Sequence, residues 1–319
     1  MSRRPAPRYV YLGPEGTFAE QALRTVPLPP RARLDPAPSV PEALDAVRAG
    51  EAEAALVPLE NSIGGAEGVT LDEIANGSPL VIIREVVLPV NFVLAARTER
   101  ALADVRTVAA HPNAARQCRG WLRDNVPQAT VVEVLSNGAA AAAAADGTYD
   151  AAICAPIGAT RNKLAVLAEE IADHKDSLTR FALVARPQKP PEPTGDDVTS
   201  LAVYIAADRV GALLSVLTEL AVRGVNLTRI ESRPTGERLG RYVFFLDCTG
   251  HVAQARMGEA LQGLHRVCAE VKFLGSYPRA RHPGEPPSGS PVPPPPPGTS
   301  DEDFAESAAW LERLRAGDF

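Results

Sequence analysis

The sequence predicts an α/β chain in which a two-lobed region of parallel sheets precedes a ferredoxin-like β-α-β-β-α-β unit. Three observations carry that prediction. In the first half, short apolar runs alternate with helix-spaced segments twice over, the pattern of parallel strands and their covering helices. Residues 186–197 are rich in Pro and polar side chains and read as a linker. Beyond them, segments follow in the order strand, helix, strand, strand, helix, strand. At 319 residues the chain is too long for one ordinary core, so about two domains are expected.

The first repeat opens with an apolar run at 9–12 ending at Gly13, then a helical segment at 18–24. Residues 40–49 have helical spacing, with Ser39 as cap and Pro41 in the first turn. Residues 54–57 form a buried strand, and the β-branched runs 80–90 and 92–96 join the two lobes. The second repeat reads strand 107–109, helix 112–124, strand 130–134, helix 138–145 and strand 151–154. The alanine run at 139–145 is a helix pressed on a sheet, because alanine is the best helix former and packs closely. An apolar strand at 181–185 precedes the linker.

In the second unit, strand 201–206 leads to helix 210–223, with Gly224 at its C-cap. Strands 227–233 and 242–248 are joined by the turn-rich 234–240, and helix 252–266 and strand 271–277 complete the unit. Residues 278–298 hold about a third of the chain's 30 prolines; such a segment cannot pack as a core and is expected to be disordered. Residues 301–316 read as a terminal helix, acidic at its start and basic at its end. Ser300 or Asp301 would cap it, and it would dock on the body or on a partner chain.

Composition narrows the function. A net charge of -6 and only 5% aromatics oppose both phosphate-backbone binding and base stacking, so no nucleic-acid partner is expected. Cys118, Cys154, Cys248 and Cys268 form no CxxC pair, and they read as reduced, buried thiols. Residues 1–8 carry arginines with no apolar run behind them, and no stretch approaches the ~20 apolar residues that span a bilayer. A cytoplasmic protein without membrane contact is expected. His111, His174, His251, His265 and His282 share no ligand spacing, so no metal is expected.

Four motifs carry possible chemistry. Gly13-Pro14-Glu15-Gly16-Thr17-Phe18 stands where a strand hands over to a helix, and exposed N–H groups there favour an anion. It lacks the third glycine of a dinucleotide fingerprint and the Lys of a Walker loop, and alone it fits a plain connection equally well. Val57-Pro58-Leu59-Glu60-Asn61-Ser62 leaves a buried strand at the end where open α/β sheets bind ligands. His111-Pro112 and Gln117-Cys118 mark the helix after the second lobe's first strand. Thr179-Arg180-Phe181 puts a hydroxyl beside an arginine at a strand start, a pattern that also suits an ordinary β-branched residue.

In this order, the motifs together resemble the monofunctional prephenate dehydratase family, with the match running nearly to Tyr277. Gly211-Ala212-Leu213 and Glu231-Ser232-Arg233-Pro234 are similar to the ACT regulatory domain of the same enzymes. The resemblance implies a periplasmic-binding-protein-like catalytic domain at 8–186, crossing between lobes near 80–106. A linker at 187–198, an ACT domain at 199–277 and a Pro-rich tail at 278–319 follow. It implies loss of carbon dioxide and water from prephenate to give phenylpyruvate, for phenylalanine synthesis. Aromatisation drives that reaction, so no cofactor is required.

Hydroxide leaves poorly, so a positioned proton donor is the natural catalyst, contributing about 10²–10⁴-fold. The resemblance assigns that role to Thr179, with Asn61 and Gln117 beside it, and substrate contacts to Gly16, Thr17, Glu60, Ser62, Ser136, Asn137, Arg180 and Phe181. It further implies L-phenylalanine as effector of a homodimer or homotetramer. Gly211, Ala212, Leu213, Asn226, Leu227, Glu231, Ser232, Arg233 and Pro234 would hold that effector. Two positions depart from the family pattern: Ser136-Asn137-Gly138 where Ser-Thr-Ala is usual, and Ser177 where Asn is often found. Arogenate dehydratase, or a non-catalytic ligand-binding sensor of the same fold, are the rival readings.

Overall fold

The computed structural model describes residues 6–205, 210–235, 241–281, 285 and 296–318. They form two units, one comprising 1–73 with 86–186, the other 74–85 with 187–319. The first unit begins with β1 (Arg8–Leu12), α1 (Phe18–Thr25), β2 (Arg33–Ala37), α2 (Val40–Arg48), β3 (Ala54–Asn61), β4 (Gly65–Ala66) and α3 (Gly68–Ala75). After β5 (Val81–Pro89) come β6 (Val93–Ala96), β7 (Thr107–Ala110), α4 (Pro112–Gln117), α5 (Arg119–Asn125) and β8 (Thr130–Glu133). It ends with α6 (Asn137–Asp146), β9 (Ala151–Cys154), α7 (Pro156–Arg161), β10 (Ala165–Ala168) and β11 (Leu178–Ala185).

These strands build two sheets, one ordered β2-β1-β3-β11-β5 with β4 on β3, the other β10-β6-β9-β7-β8. Their centres are parallel, as expected: β1 with β2 and β3, and β7 with β8 and β9. Strands β11, β6 and β10 pair antiparallel, so each sheet is mixed around its parallel centre. The chain crosses to the other lobe through β5–β6 and returns through β10–β11, and a returning strand enters its sheet in the opposite sense.

Local chemistry explains most boundaries. Ser39 Oγ accepts from the Glu42 N–H at the start of α2, where Pro41 needs no partner. The alanine helix α6 lies close on its sheet because methyl meets methyl: Ala140 and Ala144 cluster with Ala109 and Ala152. Larger side chains fill the rest of that lobe, around Phe92, Leu94, Val108, Leu122, Ile153 and Ile171. The single helix read at 112–124 is two helices. Asp173 takes the N–H groups of Gly120 (2.8 Å) and Trp121 (2.9 Å), which breaks the ladder at Cys118. Strand β2 escaped the sequence reading because Pro36 and Asp35 interrupt its apolar pattern, and α3, α7, β4 and β10 were equally unread.

The lobes of this unit approach closely at a seam of three glycines. Gly16 has φ 81°, and a Cβ there would lie 3.0 Å from Gly158 Cα. A Cβ on Gly158 would lie 2.9 Å from Gly16 O, and one on Gly138 would collide with Glu15 O. Gly138, a departure from the family pattern, is therefore the residue that lets α6 reach the loop. Buried Glu20 pins the same loop, accepting from Gly16 N (2.8 Å) and pairing with Arg24 and with Arg161 of α7 (3.2 Å).

The second unit contains β12 (Asp197–Tyr204), α8 (Ala212–Ala221), β13 (Leu227–Pro234), β14 (Tyr242–Thr249), α9 (Ala255–Val267), β15 (Glu270–Pro278) and α10 (Asp301–Ala316). Its sheet runs β13-β14-β12-β15, all antiparallel, the ferredoxin-like arrangement expected. The linker is two residues shorter than read, since β12 begins at Asp197, whose carboxylate closes the turn at Thr194 and Gly195. Helix α8 starts after Gly211 at φ 80° and ends at Ala221, so Gly224 (φ 64°) lies beyond its cap, packed under Thr299.

Residues 74–85 group with this unit as well: Lys272 Nζ donates to Ala75 O at 2.8 Å, and Glu85 accepts from Ala280 N at 2.6 Å. Ser300 caps α10 through a reciprocal box with Asp303, and Asp301 accepts from Arg256 N, so the helix start docks within its own unit. Of the Pro-rich segment expected to be disordered, 282–284 and 286–295 lie outside the described residues, as does the turn at 236–240, whereas Arg279 and Arg281 are held by ion pairs to Asp196. The seam yields a stability prediction. Gly16→Ala should lower unfolding free energy by about 1–3 kcal/mol in thermal or urea denaturation, through left-handed strain and crowding; an unchanged midpoint would contradict the seam.

Candidate active site

Pro58 has no N–H to give the β3–β11 ladder, and the register slips there: Arg180 faces Glu60 while Phe181 faces Pro58. Beyond this bulge Thr179 lies opposite Asn61. The Asn61 amide is held on both sides. Its Oδ1 accepts from the N–H groups of Ile63 (3.0 Å) and Gly64 (2.8 Å), which fixes which end is oxygen. Its Nδ2 must then face Thr179, and it donates to Thr179 Oγ1 at 2.9 Å and to Leu178 O at 3.3 Å. The Thr179 hydroxyl thus accepts from an oriented amide and keeps its own proton for another acceptor.

Thr179 is 9% exposed, and that surface opens on a cavity of about 950 Å³ between the lobes of the first unit. Asn61, Gln117, Thr17, Ser136, Asn137 and Phe181 line it too. Gln117 is oriented by Ser177, the second departure from the family pattern, whose buried hydroxyl donates to Gln117 Oε1 at 3.3 Å. The amide nitrogen of Gln117 is left for the cavity. Thr17 and Ser136 cap α1 and α6, and His111 caps α4, so three helix N-termini reach this cavity and favour an anion within it. Phe18 and Phe92 meet edge to face at 5.3 Å and supply an apolar wall.

Not every expected contact lies on the cavity. Glu60 and Arg180 occupy the alternate positions of β3 and β11 and approach each other at 3.8 Å, so their charges are spent on a cross-strand pair. Ser62 Oγ accepts from Leu178 N at 3.0 Å and serves the hairpin. Gly16 gives the seam its close approach. None of these four lines the cavity.

The charged or titratable groups of the lining are Glu67, His111, Arg116 and His174; His111 stood in a sequence motif without an assigned role, and the other three were not among the candidates. Arg116, one residue before Gln117, was the readable one. His111 Nδ1 accepts from Asn113 N (3.3 Å), while burial and the nearby Arg116 charge lower its pKa below 6.5, so the neutral ring presents Nε2–H as a donor. Burial pushes the Cys118 thiol up to about 12, which removes it as a nucleophile. Among the described residues no cluster of His, Cys, Asp and Glu could hold a metal ion.

The expected effector residues lie in the second unit. Register through β14 sets Ser232 and Arg233 level with Val203 and Tyr204, the end of the sheet from which the chain runs on to Gly211, Ala212 and Leu213. Glu231 and Pro234 flank them on β13. Asn226 and Leu227 belong to the opposite end, where Leu227 pairs with Cys248. A single protomer therefore splits this set between two ends of its sheet.

A two-lobed α/β clamp with a hydroxyl–amide pair in its cleft, followed by a ferredoxin-like sensor unit, defines a class of regulated ligand-handling enzymes. The prephenate dehydratase family model matches residues 9–189, and the ACT domain model matches 199–266. A prephenate dehydratase of Amycolatopsis methanolica is 46% identical over 98% of this chain and 99% of its own length. The crystal structure of prephenate dehydratase from Arthrobacter aurescens in complex with L-Phe superposes with a TM-score of 0.88 at 46% identity, covering 97% of this chain and 99% of that one. A structure described as GqqA, a novel type of quorum-quenching acylase, gives 0.75 at 27% identity, covering 85% and 97%. The chain belongs to the prephenate dehydratase family.

The His111 environment predicts a titration. Its NMR midpoint should fall below 6.5. Because the folded pKa is depressed, its contribution to stability is present above the unfolded value and lost as pH falls through the folded one. A midpoint above the unfolded value would contradict the buried, neutral assignment.

Proposed function

We propose that the chain converts prephenate to phenylpyruvate, losing carbon dioxide and water, with Thr179 donating the proton to the departing ring hydroxyl. The observation that carries this reading is the 2.9 Å bond from Asn61 Nδ2 to Thr179 Oγ1. An N–H held on that oxygen stabilises the charge it gains as the proton leaves, and a preorganised donor costs no reorganisation at that moment. Gln117 and the Nε2–H of His111 add donors, and Asn137, Ser136 and Thr17 stand at the helix starts that favour the carboxylates. An acylase chemistry lacks support. It needs an activated nucleophile, whereas Asn61 presents Thr179 with a donor rather than a base, and the Cys118 thiol stays protonated.

Residues 8–186 would carry the chemistry, 187–198 the connection, 199–277 the phenylalanine response and 278–319 the tail. Exposed Ile230 on the edge strand β13 supports a homodimer or homotetramer in which a second copy covers that edge and completes the divided effector set. No helix among the described residues is long and apolar enough to cross a membrane. A cytoplasmic enzyme fits that finding.

Incubation with prephenate should yield phenylpyruvate, and Thr179→Ala should fold normally yet lose about 10²–10⁴-fold in kcat. Near-wild-type turnover in that variant would remove Thr179 from the mechanism. L-phenylalanine should alter the turnover of the whole protein, and Gly211→Ala with Ser232→Ala should abolish the response while basal turnover stays within about twofold. An undiminished response would place the effector elsewhere.

A further inference from the structure

Glu67 is the only carboxylate among the described residues that line the cavity, and nothing in the reaction proposed above uses it. Its place is built. The hairpin that Asn61 opens pairs Asn61 with Gly65 and Glu60 with Ala66; then Glu67 N–H donates to Leu59 O at 3.0 Å. Buried Thr70 ties the following turn to Pro58 O at 2.6 Å. The carboxylate that senses the cavity therefore sits on the same hairpin as the amide that orients Thr179.

Three other carboxylates of the first unit are paired. Glu60 faces Arg180, while Glu15 and Glu20 share Arg161. The Glu67 carboxylate has no hydrogen bond or ion pair among the described residues, and the cavity walls strip enough water from it to raise its pKa. A second acceptor in the same lining is also unused: Asn137 Oδ1 is buried and has no hydrogen-bond partner. The other charged or titratable lining groups are His111, Arg116 and His174, donors that suit carboxylates. An unpaired carboxylate in such a cavity favours a donor-rich substituent, and an ammonium carries three N–H groups.

We propose that Glu67 is a specificity-determining residue that sorts substrates by charge, opposing the side-chain keto acid of prephenate and favouring the ammonium of its amino counterpart, arogenate. This rests on the dehydratase reading of the cavity. A like charge near a bound carboxylate is repulsive and an opposite one attractive, so one substitution should move the two substrates in opposite senses.

The test is steady-state kinetics of the whole protein and of Glu67→Gln, which keeps the shape and removes the charge, with both compounds at about pH 8. Glu67→Gln should lower KM for prephenate about fivefold and raise KM for arogenate by a similar factor, with kcat for each within about twofold. If wild type does not turn arogenate over, its Ki against prephenate supplies the same comparison. Shifts in one direction for both compounds, or neither exceeding twofold, would overturn the proposal. Wild-type turnover of prephenate reports separately on the parent reading, so the two failures are distinguishable.

Discussion

The cleft depends on one amide that cannot rotate. Asn61 Oδ1 is occupied by two backbone N–H groups of its own turn, so its nitrogen has a single useful direction, toward Leu178 O and Thr179 Oγ1. That bond joins strands whose residues lie 118 apart in sequence. It sets the hydroxyl's polarity: an oxygen that accepts from Asn61 has its own hydrogen to give. Ser62 completes the clamp, since its hydroxyl holds Leu178 N and its own N–H holds Leu178 O. Ser62 and Leu178, which line no cavity wall, thus help to set what the wall residues can do.

The second constraint is how closely the lobes of the first unit approach. Gly16, Gly138 and Gly158 remove side chains where the α6 and α7 helices press on the loop after β1, and Arg161 crosses to Glu15 and Glu20. Thr17, Ser136 and Asn137 are carried to the cleft by those same elements. The change from the usual Ala to Gly at 138 belongs to that packing. Ser177, the other departure, reaches Gln117 with its short hydroxyl.

What the sequence made legible was local or cumulative. The alternating rhythm, the ferredoxin-like order, the Ser39 cap and the helix at 301–316 all follow from patterns a few residues long. Strand β2 did not, since Pro36 hides its apolar face, and the break at Cys118 depends on Asp173, some fifty residues away. Thr179, Asn61 and Gln117 were reached through an ordered set of motifs, and no residue pattern alone distinguished Thr179 from an ordinary strand threonine. Glu67 and His174 carried no signal at all, because a cavity wall is assembled from positions that only the fold brings together. For Glu60, Ser62 and Arg180 the motif was informative about the hairpin, and strand alternation sends them away from the cleft.

The central claim is that Asn61 acts through the Thr179 oxygen. A double-mutant cycle on kcat with prephenate, using Asn61→Ala, Thr179→Ala and the pair, isolates that coupling. If the amide works through the hydroxyl, the pair should be no slower than Thr179→Ala alone, within about twofold. Losses that multiply would show two independent contributions and contradict the account.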